Sequence, residues 1–313
     1  MPNPATTRRF FLQSAGLAAG AALVPAALAA VPARAEIPAA APPPAAASAS
    51  DLPKACFQHG FAISVQAYTF RDTTTYEAIE RAAQAGCSAI EFAFNSLSAK
   101  DPAKVGPGMN DDQIKALLEH LAKHKVKAAG LYTDIPQDEA AAAKLFAFAK
   151  KIGLYNLVTE SAGSIGTIEK MVKEFDLHVG FHGHFRTADA NYKLWNPQFV
   201  LDLVKDRDPR IGACGDVGHW ASSGIRPLDA VKLLRGRMVS LHLKDRAEIG
   251  RRTTDLAACG SGVLEFPAVL KELRAQGFKG QVSIEYEEAP ERNLPAVAQH
   301  AGFIRGVGAA LEA

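Results

Sequence analysis

Eight times between Ile63 and Leu311 a short apolar run is followed by an amphipathic stretch, and that alternation leaves the chain very few folds to choose from. The apolar runs are 63–70, 88–93, 126–132, 156–160, 178–184, 211–216, 238–242 and 281–285. Helical patterns follow them at 75–85, 111–124, 137–151, 167–175, 197–205, 227–234, from 266 onward, and at 294–311. Apolar runs this short read as buried parallel strands, and parallel neighbours need a crossover between them, usually a helix. The stretch from Phe266 shows the helical signal. Phe266, Val269, Leu270 and Leu273 recur at i, i+3, i+4, i+7, with Pro267 at the start and Gly277 just past the end. Eight strand–helix units in about 260 residues predict an α/β fold, a (β/α)8 TIM barrel formed by one domain over 58–313, rather than an open sheet.

The residues ahead of that domain read differently. Thr7-Arg-Arg-Phe-Phe-Leu-Gln13 has the twin-arginine export pattern, an Ala-rich apolar segment follows over 14–30, and Ala33-Arg-Ala35 is a small-x-small cleavage site. The expectation is a signal peptide over 1–35, removed on export to the periplasm, with no stable membrane insertion afterwards. Ala, Pro and Ser dominate the next stretch, so 36–57 is expected to be a disordered tether. The whole chain has 35 basic and 33 acidic residues; without Arg8, Arg9 and Arg34, 32 basic residues remain, for a net charge of −1. A near-neutral surface excludes the concentrated positive charge that nucleic-acid binding needs. Cys56, Cys87, Cys214 and Cys259 are spaced for neither a disulfide framework nor a CxxC zinc site.

In a TIM barrel the chemistry sits at the carboxyl ends of the strands. Three consecutive strands end in Asp216, His242 and Glu285, which predicts a divalent-metal site at that mouth. Tyr68, Arg71, Glu91, Tyr132, Asp134, Glu160, His182, His184, His219, Lys244 and Glu287 fall at the same level. One histidine on an apolar strand is most often a satisfied core residue. Several converging on one rim with carboxylates are not.

These residues come in motifs: Val65-Gln-Ala-Tyr-Thr-Phe-Arg71, Phe181-His-Gly-His184, Gly215-Asp-Val-Gly-His-Trp220, Leu241-His-Leu-Lys-Asp245, Gly260-Ser-Gly-Val-Leu-Glu-Phe266 and Ile284-Glu285. In that order and spacing, over nearly all of 60–310, the chain resembles the xylose-isomerase-like TIM-barrel family, the sugar phosphate isomerases and epimerases. The resemblance implies one divalent metal ion, often Mn(II). Asp216, His242 and Glu285 stand at the family's ligand positions, and His219 matches a substrate-contacting histidine. Tyr68, Arg71, Glu91, His182 and Trp220 are assigned with His219 to the substrate. Where many members carry a ligand glutamate on strand five, this chain has His182. Glu160 from the neighbouring strand is expected to be the fourth ligand, with His182 as the rival and His184 as a substrate or acid–base group.

A mixed carboxylate and imidazole set without thiolate suits Mn(II), with Zn(II), Co(II) and Fe(II) as alternatives. Such an ion can hold a sugar carbonyl and its neighbouring hydroxyl while a carboxylate removes the proton between them. The leading expectation is an isomerase or epimerase of an unphosphorylated sugar or keto-sugar acting through an enediolate. Glu160 and Glu285 would be its acid–base pair, and His184 and Lys244 would assist. The alternatives are a lyase, dehydratase or 3-keto-glycoside cleaving enzyme on the same metal site, and a non-catalytic sugar-binding barrel. The sequence leaves the oligomeric state open.

Overall fold

The computed structural model describes residues 51–251 and 256–313. The expected signal peptide, and the expected tether as far as residue 50, lie outside them. Eight strands run in chain order: β1 Phe61–Gln66, β2 Ala89–Phe92, β3 Lys127–Tyr132, β4 Asn156–Thr159, β5 His178–Phe181, β6 Ile211–Asp216, β7 Met238–Leu243 and β8 Gln281–Ile284. Each pairs in parallel with the next, and β8 pairs with β1 through Gln281↔Ala62 to Ile284↔Val65, so the sheet closes on itself. The main helices are α1 Thr75–Gln84, α2 Asp111–His124, α3 Glu139–Lys151, α4 Ile165–Phe175, α5 Pro197–Val204, α6 Pro227–Leu233, α7 Phe266–Ala275 and α8 Leu294–Glu312. The expected (β/α)8 barrel is the observed fold. Among the described residues no helix is long and apolar enough to cross a membrane.

Local chemistry sets the helix starts. Thr74 caps α1 in a box with Glu77, and Asn110 caps α2 in a box with Gln113. Each cap satisfies amides the helix leaves free and contributes about 1 kcal/mol. The strands alternate in two chemistries, both buried. Residues such as Ile63, Val65, Leu241, Leu243, Val282 and Ile284 join one core with Ile79, Leu117, Leu145, Val172, Val231, Leu270 and Ile304 of the helices. Ala62, Ala89, Ala129, Tyr155 and Val239 form a second cluster with Leu52 and Cys56 near the strands' amino ends. Two of those residues belong to the last part of the expected tether. Within 51–57, Leu52 and Cys56 are buried, Lys54–Cys56 is a 3-10 turn, and Phe57 pairs with Ala62 in a short antiparallel strand.

Between that plug and the carboxyl mouth, the strands carry a polar layer. Gln281 Nε2 donates to Glu91 Oε2 at 2.7 Å and to Asn156 Oδ1 at 3.1 Å, and Asn156 Nδ2 donates to Ser240 Oγ at 3.2 Å. A methyl group at Gly130 would lie 2.6 Å from Gln281, 2.9 Å from Asn156 and 3.1 Å from Glu91, so β3 carries glycine where this network fills the barrel. All four cysteines are free and buried.

Three local elements differ from expectation. The apolar run 63–70 does not stay extended, because Gln66 accepts from the Tyr68 amide at 2.7 Å and turns Ala67–Phe70 into a 3-10 helix. Ser96–Ser98 and Asp101–Lys104 pair as a hairpin after β2. A short helical turn, Val217–Ser222, follows β6, with Asp216 accepting from the His219 amide at its start.

Candidate metal and active site

Strand register builds the site. Asp216 stands opposite His242, and His242 opposite Ser283, which places Glu285 just past the end of β8 on the same rim. His182 follows the last residue of β5. One donor atom from each of His182, Asp216, His242 and Glu285 lies within 4.8 Å of the others, and all four residues are buried. His242 Nδ1 is 3.0 Å from Glu285 Oε2 and 3.9 Å from Asp216 Oδ2, and His182 Nε2 is 3.5 Å from Asp216 Oδ2.

These four converging atoms are buried and lack a hydrogen-bond partner. Buried polar atoms are normally paired; the two carboxylate oxygens face Lys244 as well as the rings, while His182 Nε2 and His242 Nδ1 face carboxylates of the group, an arrangement that fits a cation among the four. The donor set, two imidazole nitrogens and two carboxylate oxygens, suits a borderline divalent ion. The far side of each ring supports that reading. His242 Nε2 is 2.8 Å from Glu91 Oε1, and His182 Nδ1 is 3.1 Å from Glu160 Oε1. A carboxylate behind an imidazole fixes its tautomer and aims its other nitrogen, the usual arrangement for a ligating histidine.

Glu160, expected as the fourth ligand, is not in this group, whose fourth member is His182, its rival in the sequence; Glu160 stands behind His182 and forms a second candidate group with His182 and His184. Its Oε1 takes Tyr132 Oη at 3.0 Å, His182 Nδ1 at 3.1 Å and His184 Nδ1 at 2.5 Å, and its Oε2 takes Tyr192 Oη at 3.0 Å. Burial works against its charge, but the bonds to His182 and His184 outweigh it and hold the carboxyl below the usual range.

Lys244, buried on the strand that carries His242, sits among carboxylates. Its Nζ is 3.1 Å from Asp216 Oδ2 and 2.8 Å from Glu285 Oε2, and it pairs closely with Glu287. Burial opposes the ammonium charge, yet Asp216, Glu285 and Glu287 raise its pKa. Burial likewise disfavours ionised Asp216 and Glu285, but His219 and Lys244 beside the first, and Lys244 and His242 beside the second, keep both low. Lys244 Nζ also lies 3.3 Å from His219 Nε2. With that nitrogen accepting, the neutral ring carries its proton on Nδ1, which is buried and unpartnered.

The remaining expected substrate contacts separate. Tyr68 and Arg71 are exposed at the mouth, with the guanidinium 5.2 Å from the Tyr68 ring centre. His184 is half exposed beside Glu160. Glu91 is fully buried, with both oxygens engaged by His242 and Gln281, and so positions a ring rather than touching substrate. Trp220 is in the core, 4 % exposed, packed where a side chain at Gly215 would collide with it. One residue along a helical turn rotates a side chain by roughly 100°. His219 therefore faces the site while Trp220 turns away.

Three further residues take part: Tyr192 and Phe94, which were not expected at the site, and Glu287, which was expected at this mouth without a role. Tyr192 accepts from the His184 amide at 2.5 Å while donating to Glu160. Glu287 holds Lys244, and Phe94, 52 % exposed, stands edge-on to Tyr68 and Tyr132 with centroids 6.5 Å and 5.6 Å away. Glu287 lies two residues past Glu285, a same-face spacing that points to it. Tyr192 and Phe94 lie in connections and carry no periodic signal.

Comparison with known proteins agrees with this fold. The family described as Xylose isomerase-like TIM barrel matches residues 160–306. The chain is 28 % identical over 162 residues to the Rhizopine catabolism protein MocC of Rhizobium meliloti, covering 44 % of this chain and 48 % of that one. It is 27 % identical over 144 residues to Inosose dehydratase 2 of Bacillus cereus, covering 41 % and 47 %. The matches thus span about half the length of these curated relatives. A solved structure of an uncharacterised protein from Parabacteroides distasonis ATCC 8503 is 26 % identical, with a TM-score of 0.63, covering 79 % of this chain and 99 % of that one. The closed eight-stranded barrel has the fold of the xylose-isomerase-like TIM barrels, and the family match covers the part that carries Asp216, His242 and Glu285.

Proposed function

We propose that the chain is a divalent-metal-dependent lyase. It would remove the proton beside the ketone of an unphosphorylated keto-sugar, keto-cyclitol or keto-glycoside and expel the β-oxygen substituent as water or an alcohol. The observation that carries this reading is the state of Glu160. An epimerase needs an acid–base group on each face of the reacting carbon, and Glu160 was expected to serve the face opposite Glu285. Its two oxygens instead accept from Tyr132, His182, His184 and Tyr192. What remains at the pocket is one carboxylate, Glu285, and the imidazoles of His184 and His219. A base on one side with proton donors on the other suits elimination. The likeness to a protein named a dehydratase supports the same choice.

A divalent ion held by His182, Asp216, His242 and Glu285 would supply Lewis-acid polarisation of the substrate carbonyl. Glu285 takes the α-proton, and the carbon–hydrogen electron pair becomes the new carbon–carbon double bond. Lys244, fixed by three carboxylates, holds positive charge beside the oxygen that gains electron density. His219 donates from Nδ1 to a substrate oxygen. Glu160 holds His184 by Nδ1, leaving Nε2 to protonate the departing oxygen as its bond to carbon breaks. The ketone is kept, conjugated to the new double bond, and no oxidant or reductant is consumed.

Phe94, Tyr68 and Tyr132 offer aromatic edges and faces for the carbon–hydrogen face of a ring. The absence of a phosphate from the substrate is supported at Gly260 and Gly262, whose amides both donate to Asp245 Oδ2 at 2.9 Å and 3.0 Å and so form no phosphate cradle. Export through the twin-arginine pattern at Arg8 and Arg9, which we propose also, would place the enzyme where free sugars outnumber sugar phosphates.

The test is metal-loaded protein incubated in D2O with keto-cyclitols, keto-sugars and 3-keto-glycosides, followed by mass and by enone absorbance. The expected product has lost water or alcohol, with Glu285→Gln and His184→Asn inactive. A product isomeric with its substrate and deuterated at the α-carbon would replace this reading with epimerisation. Intact transfer of the labelled hydrogen to the neighbouring carbon would replace it with a hydride shift.

A further inference from the structure

Away from the barrel mouth, the described residues hold one more group with metal-ligand chemistry: Glu80 on α1 with His120 and His124 on α2. Residues four apart share a helix face. The two rings accordingly lie with centroids 4.6 Å apart. Glu80 Oε1, from the neighbouring helix, is 3.4 Å from His120 Nε2 and 3.8 Å from His124 Nε2. The Tyr76 carbonyl, one turn before Glu80, is 3.2 Å from the same His120 nitrogen. Bonds of 2.0–2.1 Å to a tetrahedral ion put neighbouring donors roughly 3.3–3.4 Å apart. The observed spacings bracket that edge.

The competing explanation is a solvated ion pair between two helices. It leaves His124 unexplained, because its Nε2 is buried and has no hydrogen-bond partner although it faces the carboxylate. It also leaves one carboxylate oxygen facing two imidazole nitrogens.

We propose that Glu80, His120 and His124 bind one borderline divalent transition ion, of the zinc(II) class, clipping α1 to α2 on the outside of the barrel. Two imidazoles and one carboxylate select against magnesium and calcium, which prefer all-oxygen shells. The fourth position falls to water or to the Tyr76 carbonyl. This site shares no residue with the mouth and stands or falls apart from the proposed lyase chemistry.

Untagged protein is dialysed against buffered zinc chloride, and bound metal is counted by elemental analysis. The expected result is one zinc fewer per chain in His120→Gln/His124→Gln than in the wild type. In an Asp216→Ala/His242→Ala background, which removes the mouth site, one zinc should remain and should vanish when Glu80→Gln is added. Cobalt(II) in that background should give the visible bands of a tetrahedral site, and zinc should raise the melting temperature through linkage. If the helix variants lower the count in neither background, or zinc shifts the melting temperature equally with and without Glu80, the proposal is wrong. Should the mouth variants fail to fold, the wild-type comparison with the helix variants decides alone.

Discussion

Glu160→Gln separates a carboxylate that aims a ligand from one that is a ligand. The substitution keeps the shape of the side chain and the oxygen that His182, His184 and Tyr132 share, while Tyr192 can turn its hydroxyl to accept from the new amide. What is lost is the charge behind His182. Removing such a partner lowers metal affinity about 10- to 100-fold, or about 1.4–2.7 kcal/mol at 1.4 kcal/mol per decade. Asp216→Ala removes a donor atom from the group itself and should abolish stoichiometric binding at the mouth, both variants being compared in a Glu80→Gln background that removes the helix site. Competition against a chromophoric chelator, with stoichiometry checked by elemental analysis, measures both. The reasoning is refuted if Glu160→Gln loses metal as completely as Asp216→Ala, or if its affinity equals that of the wild type.

Lys244→Met should destabilise the metal-free protein by about 3–5 kcal/mol, because Asp216 and Glu285 lose their buried counter-charge, and metal should restore most of it; equal urea midpoints with and without metal would contradict this. His178 stacks on Tyr155 and is pushed down to about 4, mainly by burial and then by Arg210. Its folded pKa lies below the unfolded one, so the unfolded chain binds the extra proton, and stability present above about pH 6.5 is lost as pH falls toward 4, by at most about 3 kcal/mol. His178→Phe should flatten that part of the urea-midpoint curve, and parallel curves for the two proteins would show the histidine is not responsible. Finally, Arg8→Lys with Arg9→Lys should leave an uncleaved precursor inside the cell, as fractionation would show; unchanged export would dismiss the twin-arginine proposal.

The eight units were legible because the outward strand faces are apolar and the helices carry their own period and caps, as with Thr74 and Asn110. The hairpin at 96–104 was not, since Pro102 within it argues against a strand and its pairing rests on the register of Ser96 with Lys104 and Ser98 with Asp101. At the site, strand order alone placed Asp216, His242 and Glu285 on one rim. Depth was harder to read. Glu91 looks like a mouth residue in the one-dimensional string, yet β2 pairs Glu91 with Gln66 and Gly130, and the carboxylate ends beneath His242 rather than above the metal group. The choice between Glu160 and His182 turns on side-chain reach across two strands, which spacing does not record.

The two glycines of Gly215-Asp-Val-Gly-His219 connect that motif to the electrostatics of the pocket. A side chain at Gly215 would meet the Trp220 ring, and one at Gly218 would meet the stem of Lys244. Gly218 thus opens the passage by which a fully buried lysine reaches the carboxylates. Without that ammonium, the pocket would hold Asp216 and Glu285 buried with less opposing charge, a cost of several kcal/mol against a total stability of about 5–15 kcal/mol. Lys244 supplies that opposing charge to both carboxylates. Glu287, 34 % exposed at the side chain, gives the ammonium a partner outside the candidate metal group, one it would keep if an ion engaged Asp216 and Glu285. In the proposed reaction, the lysine that supports the folding of the pocket would then already stand beside the substrate oxygen.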